Sequence, residues 1–397
     1  MWCVDTWLSR ARRLALGIGL LATSVGCGAP ADALHDDATT SAEETGATTG
    51  APATDGTSIA GDETTTGEDG GDTSSPTSTD DGGDTSSGSD GGELPWPTSC
   101  HDAPPVGAQA PPPVPAYSGG VCPPLLPGDN TLSSLGHTRS FILVAPRDIA
   151  AGERLPLLFL WHWLGGDAEG FIEKGDVQRA ADELRFIAIA PRAKGDLLFR
   201  WPFTTVDTPG RIEEEQIFFD DMLSCASDNF DIATSCVSSV GVSAGALWTT
   251  LLASGRGHYL SSFVSLSGGS GNGGIVQPWG GATHVMPALV LWGGRQDTCI
   301  AVDFQHTSGD LEANLVADGH PLVECIHNCG HAEPPFDQPE DVTPFTPMWQ
   351  FVLDHPYWLP DGESPWATSV PEALPMWCAY GAGSAEIRTG ECPPSAC

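Results

Sequence analysis

Cys236-Val237-Ser238-Ser239-Val240-Gly241-Val242-Ser243-Ala244-Gly245-Ala246-Leu247-Trp248 carries the sharpest structural signal in the chain. Val237 to Val242, with valine at three of its six positions, predicts a strand, while Ala244 to Ala253 predicts a helix. The strand therefore passes straight into the helix at Ser243. A turn that tight needs small neighbours, which Gly241 and Gly245 provide. It leaves the serine hydroxyl clear of the sheet, with a helix N-terminus behind it that favours developing negative charge. Gly-x-Ser-x-Gly alone is a weak signal in a chain with 48 glycines among 397 residues. Its position between strand and helix gives it weight against the alternative of a purely structural turn.

Around this turn strands and helices alternate. Strands are predicted at Phe141 to Ala145, Leu155 to Trp161, Phe186 to Ala190, Ser262 to Leu266, Ala288 to Trp292 and Leu322 to Ile326. Helices are predicted at Asp176 to Leu184, Glu213 to Asn229, Asp303 to Ala317 and Pro347 to Asp354. Short apolar runs alternating with helices give an α/β fold, a mainly parallel sheet with helices on both faces. In such sheets reactive groups gather at the carboxyl ends of strands. There, Leu291-Trp292-Gly293-Gly294-Arg295-Gln296-Asp297 puts an acid past one strand, and Asn328-Cys329-Gly330-His331 puts a histidine past the next. A nucleophilic serine needs a base, and the base needs an orienting carboxylate. Ser243, Asp297 and His331 stand in the chain order of α/β-hydrolases. His327 is the alternative base, and Asp220 and Asp221 read as structural.

Together the segments Leu160-Trp161-His162-Trp163-Leu164-Gly165-Gly166, Phe219-Asp220-Asp221-Met222, Gly241-Val242-Ser243-Ala244-Gly245, Gly294-Arg295-Gln296-Asp297 and Gly330-His331-Ala332-Glu333-Pro334 resemble exported α/β-hydrolases typified by polyhydroxybutyrate depolymerases and feruloyl or acetylxylan esterases. The resemblance covers residues 141–354 and is specific for the hydrolase core but not for substrate. It implies an α/β-hydrolase fold with Ser243 as nucleophile, His331 as general base and Asp297 as its partner. The family usually has His-Gly where this chain has His162-Trp163. That loop supplies one oxyanion N–H, from Leu164 or alternatively Trp163, and Ala244 supplies the other. Trp163 would either narrow the acyl pocket or pack on its own loop. Trp163, Trp201 and Trp248 are the candidates for substrate contact, although core packing explains a tryptophan equally well.

The alternation Cys325-Ile326-His327-Asn328-Cys329-Gly330-His331 could suggest a metal site, but its spacing is not that of a zinc site, and no metal or cofactor is expected. Cys3 falls in the export signal and Cys27 is a lipidation candidate. Ten cysteines remain, an even set that predicts up to five disulfides in an oxidising compartment. Closeness in sequence suggests Cys100 with Cys122. It also suggests Cys225 with Cys236, closing a loop of roughly 12 residues for about 3 kcal/mol in the chain-entropy model. Cys299 with Cys325 or Cys329 would clamp the acid loop to the histidine loop.

The N-terminal part has another character. Arg10, Arg12 and Arg13 precede the apolar run Leu14 to Ala22, which is too short to span a bilayer, so residues 1–26 read as a signal peptide. Ser24-Val25-Gly26-Cys27 resembles a bacterial lipobox, in which the cysteine is lipidated. Residues 28–93 hold 16 carboxylates and no Lys or Arg. With so little apolar surface, residues 27–93 should form a disordered linker reaching roughly 45 Å or more. The formal charge of −36 thus divides into the linker's −16, about +2 in the signal and −22 in the rest. So acidic a chain is excluded as a nucleic-acid binder, and a membrane would be met only through the lipid anchor. Residues 94–358 are expected to be the catalytic domain and 359–397 a cysteine-containing tail without regular structure.

The expected protein is an exported, monomeric serine esterase of neutral esters, polymeric or small. The alternatives are an inactive carbohydrate- or polymer-binding module on a hydrolase fold, and a serine peptidase.

Overall fold

Leu135 and Gly136 both have positive φ, 50° and 80°, and turn the chain between Gly128–Ser134 (β1) and His137–Val144 (β2), an antiparallel hairpin. The computed structural model describes residues 96–271 and 274–392. The expected signal peptide, Cys27, the linker 27–93 and Cys397 lie outside them. β1 was not expected, because Gly128, Asp129, Asn130, Thr131 and the two serines give it little apolar character. Its side chains nonetheless alternate between buried and exposed, and Leu132 enters the core.

The remaining strands are Leu155–Trp161 (β3), Ile187–Pro191 (β4), Ile232–Val242 (β5), Ser262–Leu266 (β6), Ala288–Trp292 (β7), the two-residue pair Thr298–Cys299 (β8) and Val302–Asp303 (β9), Leu322–Ile326 (β10) and Cys378–Tyr380 (β11). Seven of these join β1 and β2 in one sheet of nine strands, in the order β1-β2-β4-β3-β5-β6-β7-β10-β11, and β8 pairs with β9 separately. From β4 to β10 every neighbouring pair is parallel, while β1, β2 and β11 join by antiparallel contacts. β3, β4, β6 and β7 are buried along their whole length because both faces are covered, and their side chains are apolar apart from Ser262 and Ser265 of β6.

Six helices cover the faces: Ala168–Lys174 (α1), Val177–Leu184 (α2), Pro209–Asn229 (α3), Ala244–Arg256 (α4), Phe304–Ala317 (α5) and Thr346–Leu353 (α6). Leu157, Phe159 and Trp161 of β3 pack with Phe218 of α3, Leu247 of α4 and Leu311 of α5. Leu158 and Leu160, on the opposite face, pack with Phe171 of α1, Ala180 of α2 and Met348 of α6. The period of two along β3 therefore divides the apolar interior into two layers. This is the α/β-hydrolase fold, with β11 added beyond the edge of the parallel strands.

Two expectations are corrected. The described part of the tail, residues 359–392, contributes β11 and buries Trp366 and Trp377, so it is not without regular structure. The disulfides join Cys100 to Cys236, Cys122 to Cys225, Cys325 to Cys378 and Cys329 to Cys392. Pairing by closeness fails because the sheet intervenes. Cys225 and Cys122 pack in the α3 layer, whereas Cys236 and Cys100 lie in the α6 layer. Cys299 is also disulfide-bonded, to neither Cys325 nor Cys329. The Cys122–Cys225 bond spans 103 residues. In the chain-entropy model a loop of that size is worth about 4.7 kcal/mol, against about 3 for the short loop expected.

Glu312 of α5 and Glu324 of β10 are 6% and 3% exposed. Burial, then the neighbouring Glu324, pushes the Glu312 carboxyl up to about 9. At neutral pH Glu312 is therefore protonated and hydrogen-bonds Glu324, whose Oε2 also accepts the Ala385 N–H at 2.8 Å. The ordinary value is 4.5, so between 4.5 and 9 the folded chain holds a proton that the unfolded chain has lost. The contribution of Glu312 to stability is then greatest below 4.5 and is lost as pH rises toward 9. Glu312→Gln should remove that slope, giving a Tm above wild type by a margin that widens from pH 5 to pH 9 in calorimetry. Parallel Tm curves for the two proteins would contradict it.

Candidate active site

Ser243 stands between β5 and α4 with φ 55° and ψ −120°, a backbone state that L-residues rarely adopt. Its flanking glycines are required by contact. A Cβ on Gly241 would lie 2.1 Å from the Gly245 carbonyl oxygen, and one on Gly245 would lie 2.0 Å from that of Trp161. The end of β3 is thus pressed against the first turn of α4. Its following loop, residues 162–166, is carried to the same place.

Ser243 Oγ lies 2.9 Å from His331 Nε2, and His331 Nδ1 lies 2.6 Å from Asp297 Oδ1. The three residues are 3%, 8% and 0% exposed, so the relay is largely shielded from water. Asp297 Oδ2 accepts from Ser267 Oγ and from the Gly293 N–H, each at 2.7 Å. These donors offset much of the cost of burying its charge. Phe304, the first residue of α5, stacks on the His331 ring at 4.3 Å between centroids and 15° between planes. The histidine turn is seated on the acid turn by the Gly330 N–H to the Gly293 carbonyl, at 3.0 Å, and a Cβ on Gly293 would come 1.9 Å from that of Gly330.

Ser267 and Phe304 were not anticipated. The sequence signal for Ser267 was a polar residue at the carboxyl end of β6 followed by two glycines. Phe304 carried none, since an apolar residue at a helix start suggests core packing.

The remaining candidates fall as follows. The Ala244 N–H, first of α4, has no acceptor among the described residues. Leu164 lies within the turn from Trp163 to Gly166, which is closed by the Gly166 N–H to the Trp163 carbonyl at 3.0 Å. The indole of Trp163 packs over Gly166 and against Phe171, so it lies on its own loop and α1. With Phe171, Lys174, Val242, Leu266, Phe345 and Met348 it lines a small apolar pocket. Trp201 and Trp248 are fully buried, both edge-on to Trp161, and cannot offer a face to substrate. They are wall residues of the α3/α4 layer. His162 is buried, its Nδ1 donating to the Trp163 carbonyl at 3.0 Å, and burial lowers its pKa. His327 faces Trp377, and burial brings it down to about 4. Its Nδ1 accepts the Cys329 N–H, so it does not take part in the relay. Asp220 pairs with Arg256, and Asp221 accepts from Ser118, both in α3 packing. Cys325 and Cys329 are oxidised, so the alternating Cys/His stretch offers no thiolate pair.

The fold has clear counterparts among solved structures. Native pOPH superposes with a TM-score of 0.53 at 16% identity, over 66% of this chain and 97% of that one. Native sOPH gives 0.51 at 18% identity, over 67% and 97%. A serine-to-alanine variant of pOPH in complex with pNPB gives 0.53 at 16% identity, over 66% and 96%. No family model matches the chain, and no curated protein matches it. Fold and connectivity place the chain in the α/β-hydrolase class of structures.

The two glycine contacts give a contrast within one protein. Gly245→Ala should cost about 3 kcal/mol or more in urea unfolding, because neither backbone can yield. Gly210→Ala in α3, where an added Cβ meets nothing within 4 Å, should be neutral or slightly stabilising.

Proposed function

We propose that the chain is a serine-dependent carboxylic ester hydrolase acting through an acyl-enzyme on neutral esters. The observation that carries this is the unbroken relay from Ser243 Oγ through His331 to Asp297, set on a strained turn at a helix N-terminus. In the proposed reaction Ser243 Oγ attacks the ester carbonyl while His331 Nε2 takes its proton. The Nδ1–H bond to the buried Asp297 holds the ring in the useful tautomer and stabilises the imidazolium. The Ala244 N–H and an N–H of the 162–166 loop, from Leu164 or Trp163, stabilise the oxyanion. Such donors are worth about 100- to 1,000-fold each in comparable enzymes. Protonation of the leaving alcohol by His331 gives the acyl-enzyme. Water, activated by the same histidine, then releases the acid.

The pOPH complex with pNPB supports an ester-like ligand for this fold without fixing the substrate here. The formal −22 of residues 94–397 disfavours polyanions by repulsion and leaves neutral esters, polymeric or small, as the proposed class. Burial of Trp201 and Trp248 takes away the stacking surface on which a binding-module reading relied. Four disulfides among the described residues favour maturation in an oxidising compartment, and none of the described helices is long and apolar enough to cross a membrane. Export with lipid anchoring at Cys27, and action as a monomer without cofactor, complete the proposal.

Ser243→Ala should abolish hydrolysis of short p-nitrophenyl esters, and labelling by a serine-directed organophosphate, with an unchanged unfolding midpoint. Equal turnover by variant and wild type would remove Ser243 from the chemistry.

A further inference from the structure

The tail beyond β11 does not leave the molecule but returns across the root of the histidine turn. β11 pairs with β10, and Cys378 is bonded to Cys325 directly opposite in register. The chain then follows β10 toward its carboxyl end. The Ala385 N–H reaches Glu324 Oε2 at 2.8 Å, and the Arg388 N–H reaches the Ile326 carbonyl at 2.9 Å. At the turn itself Arg388 Nη1 donates to Asn328 Oδ1 at 2.8 Å, and Asn328 Nδ2 donates to the Gly390 carbonyl at 2.8 Å. The Cys329–Cys392 disulfide ends the series, two residues before His331.

We infer that residues 385–392 form a strap that positions His331, with the Cys329–Cys392 bond and Arg388 as its positioning groups. The turn from His327 to His331 has an inner and an outer support. On the inside, the His327 N–H bonds the Trp292 carbonyl and the Gly330 N–H bonds that of Gly293, both at 3.0 Å. Those bonds set the height of the turn above β7. They leave its outward side open, and Gly330 at φ 68° is a residue of low rotational stiffness immediately before the histidine. On the outside, the Asn328 amide and the Cys329 sulfur are held by the strap, while the Cys329 N–H reaches only back within the turn to His327 Nδ1. His331 must keep both of its ring contacts, at 2.6 and 2.9 Å, so a small outward shift of Cys329 costs alignment at Ser243. A misplacement of about 1 Å in such a relay can cost on the order of 100-fold in rate. None of the strap residues touches the reacting atoms, so their effect is on the chemical step and not on substrate affinity.

This inference rests on the serine-hydrolase reading, and the test separates the two. Cys329→Ala, Cys392→Ala and the double variant are compared with wild type in the full chain, together with Arg388→Gln and Arg388→Lys. The readouts are kcat and KM on a short p-nitrophenyl ester, the rate of organophosphate labelling at Ser243, and the far-downfield proton resonance of the His331 Nδ1–H bond. The strap predicts a kcat lower by about 10- to 100-fold with KM within about twofold, labelling slowed in proportion, and a broadened or lost downfield proton in a chain that still melts cooperatively. The two single cysteine variants should each match the double, because one bond is removed in all three. Arg388→Lys should recover part of what Arg388→Gln loses. Wild-type kcat and an intact downfield proton in the double variant would overturn the strap. Losses that track global unfolding, with the folded fraction fully active, would overturn it as well. A wild-type chain with the downfield proton but no turnover and no label would instead refute the hydrolase reading, and loss of that proton in the double variant would still support the strap.

Discussion

The close approach of three backbones at Gly241, Gly245 and Trp161 is the constraint on which the site depends. With a Cβ at either glycine, atoms would stand near 2 Å from a carbonyl oxygen, so α4 could not start where it does. Because it starts there, Ser243 is forced to φ 55° and the Ala244 N–H is left at the open end of the helix. The same contact brings the end of β3, and with it residues 162–166, beside the serine. The strained residue and the paired N–H groups thus have one geometric cause. The strain is held by burial of α4 through Leu247, Trp248 and Leu252 against the sheet.

The second organising requirement is electrostatic. Asp297 is wholly buried, and a bare carboxylate there would cost several kcal/mol. Its satisfaction draws on three different strand ends: Ser267 after β6, the Gly293 N–H after β7 and His331 after β10. Satisfying the carboxylate and assembling the relay are therefore one event. Gly293 serves twice, giving its N–H to Asp297 and its carbonyl to Gly330. That shared residue is why acid and histidine turns sit at a fixed separation, and Phe304 limits the remaining freedom by stacking on the imidazole.

Much of this was legible in the sequence, for physical reasons that can be named. Parallel strands buried on both faces are mainly apolar even where a Ser or Glu intervenes, so β3, β6, β7 and β10 were bounded to the residue. The polar edge strand β1 and the three-residue β11 escaped notice because an edge needs only half its side chains buried, and a short strand has no period. Ser243, Asp297 and His331, which the fold brings into hydrogen-bond contact, could be singled out because each follows a strand, a one-dimensional property. Ser267 follows a strand too, yet its role depends on a carboxylate 30 residues away, which only the folded chain reveals. Trp201 and Trp248 show the converse. A tryptophan near catalytic motifs in sequence can be a stacking surface or a wall, and burial alone decides between them.

The disulfides illustrate the same limit and explain the shape of the tail's contribution. In a sheet with two covered faces, cysteines near in sequence can belong to opposite layers, as Cys225 and Cys236 do, and then no bond can join them. Each must find a partner in its own layer, and the segments left for that are the peripheral ones before β1 and after α6. The bonds therefore run outward to the peripheral segments: Cys236 to the segment at Cys100, Cys225 to that at Cys122, Cys325 to Cys378 in β11 and Cys329 to Cys392 beyond it. Beyond the side chains they bury, such as Trp366 and Trp377 of the tail, crosslinking reduces the entropy these segments would otherwise regain on detaching. Where such a segment ends beside Ser243's histidine, as the one bearing Cys392 does, its attachment becomes part of the site's geometry and not merely of the fold's stability.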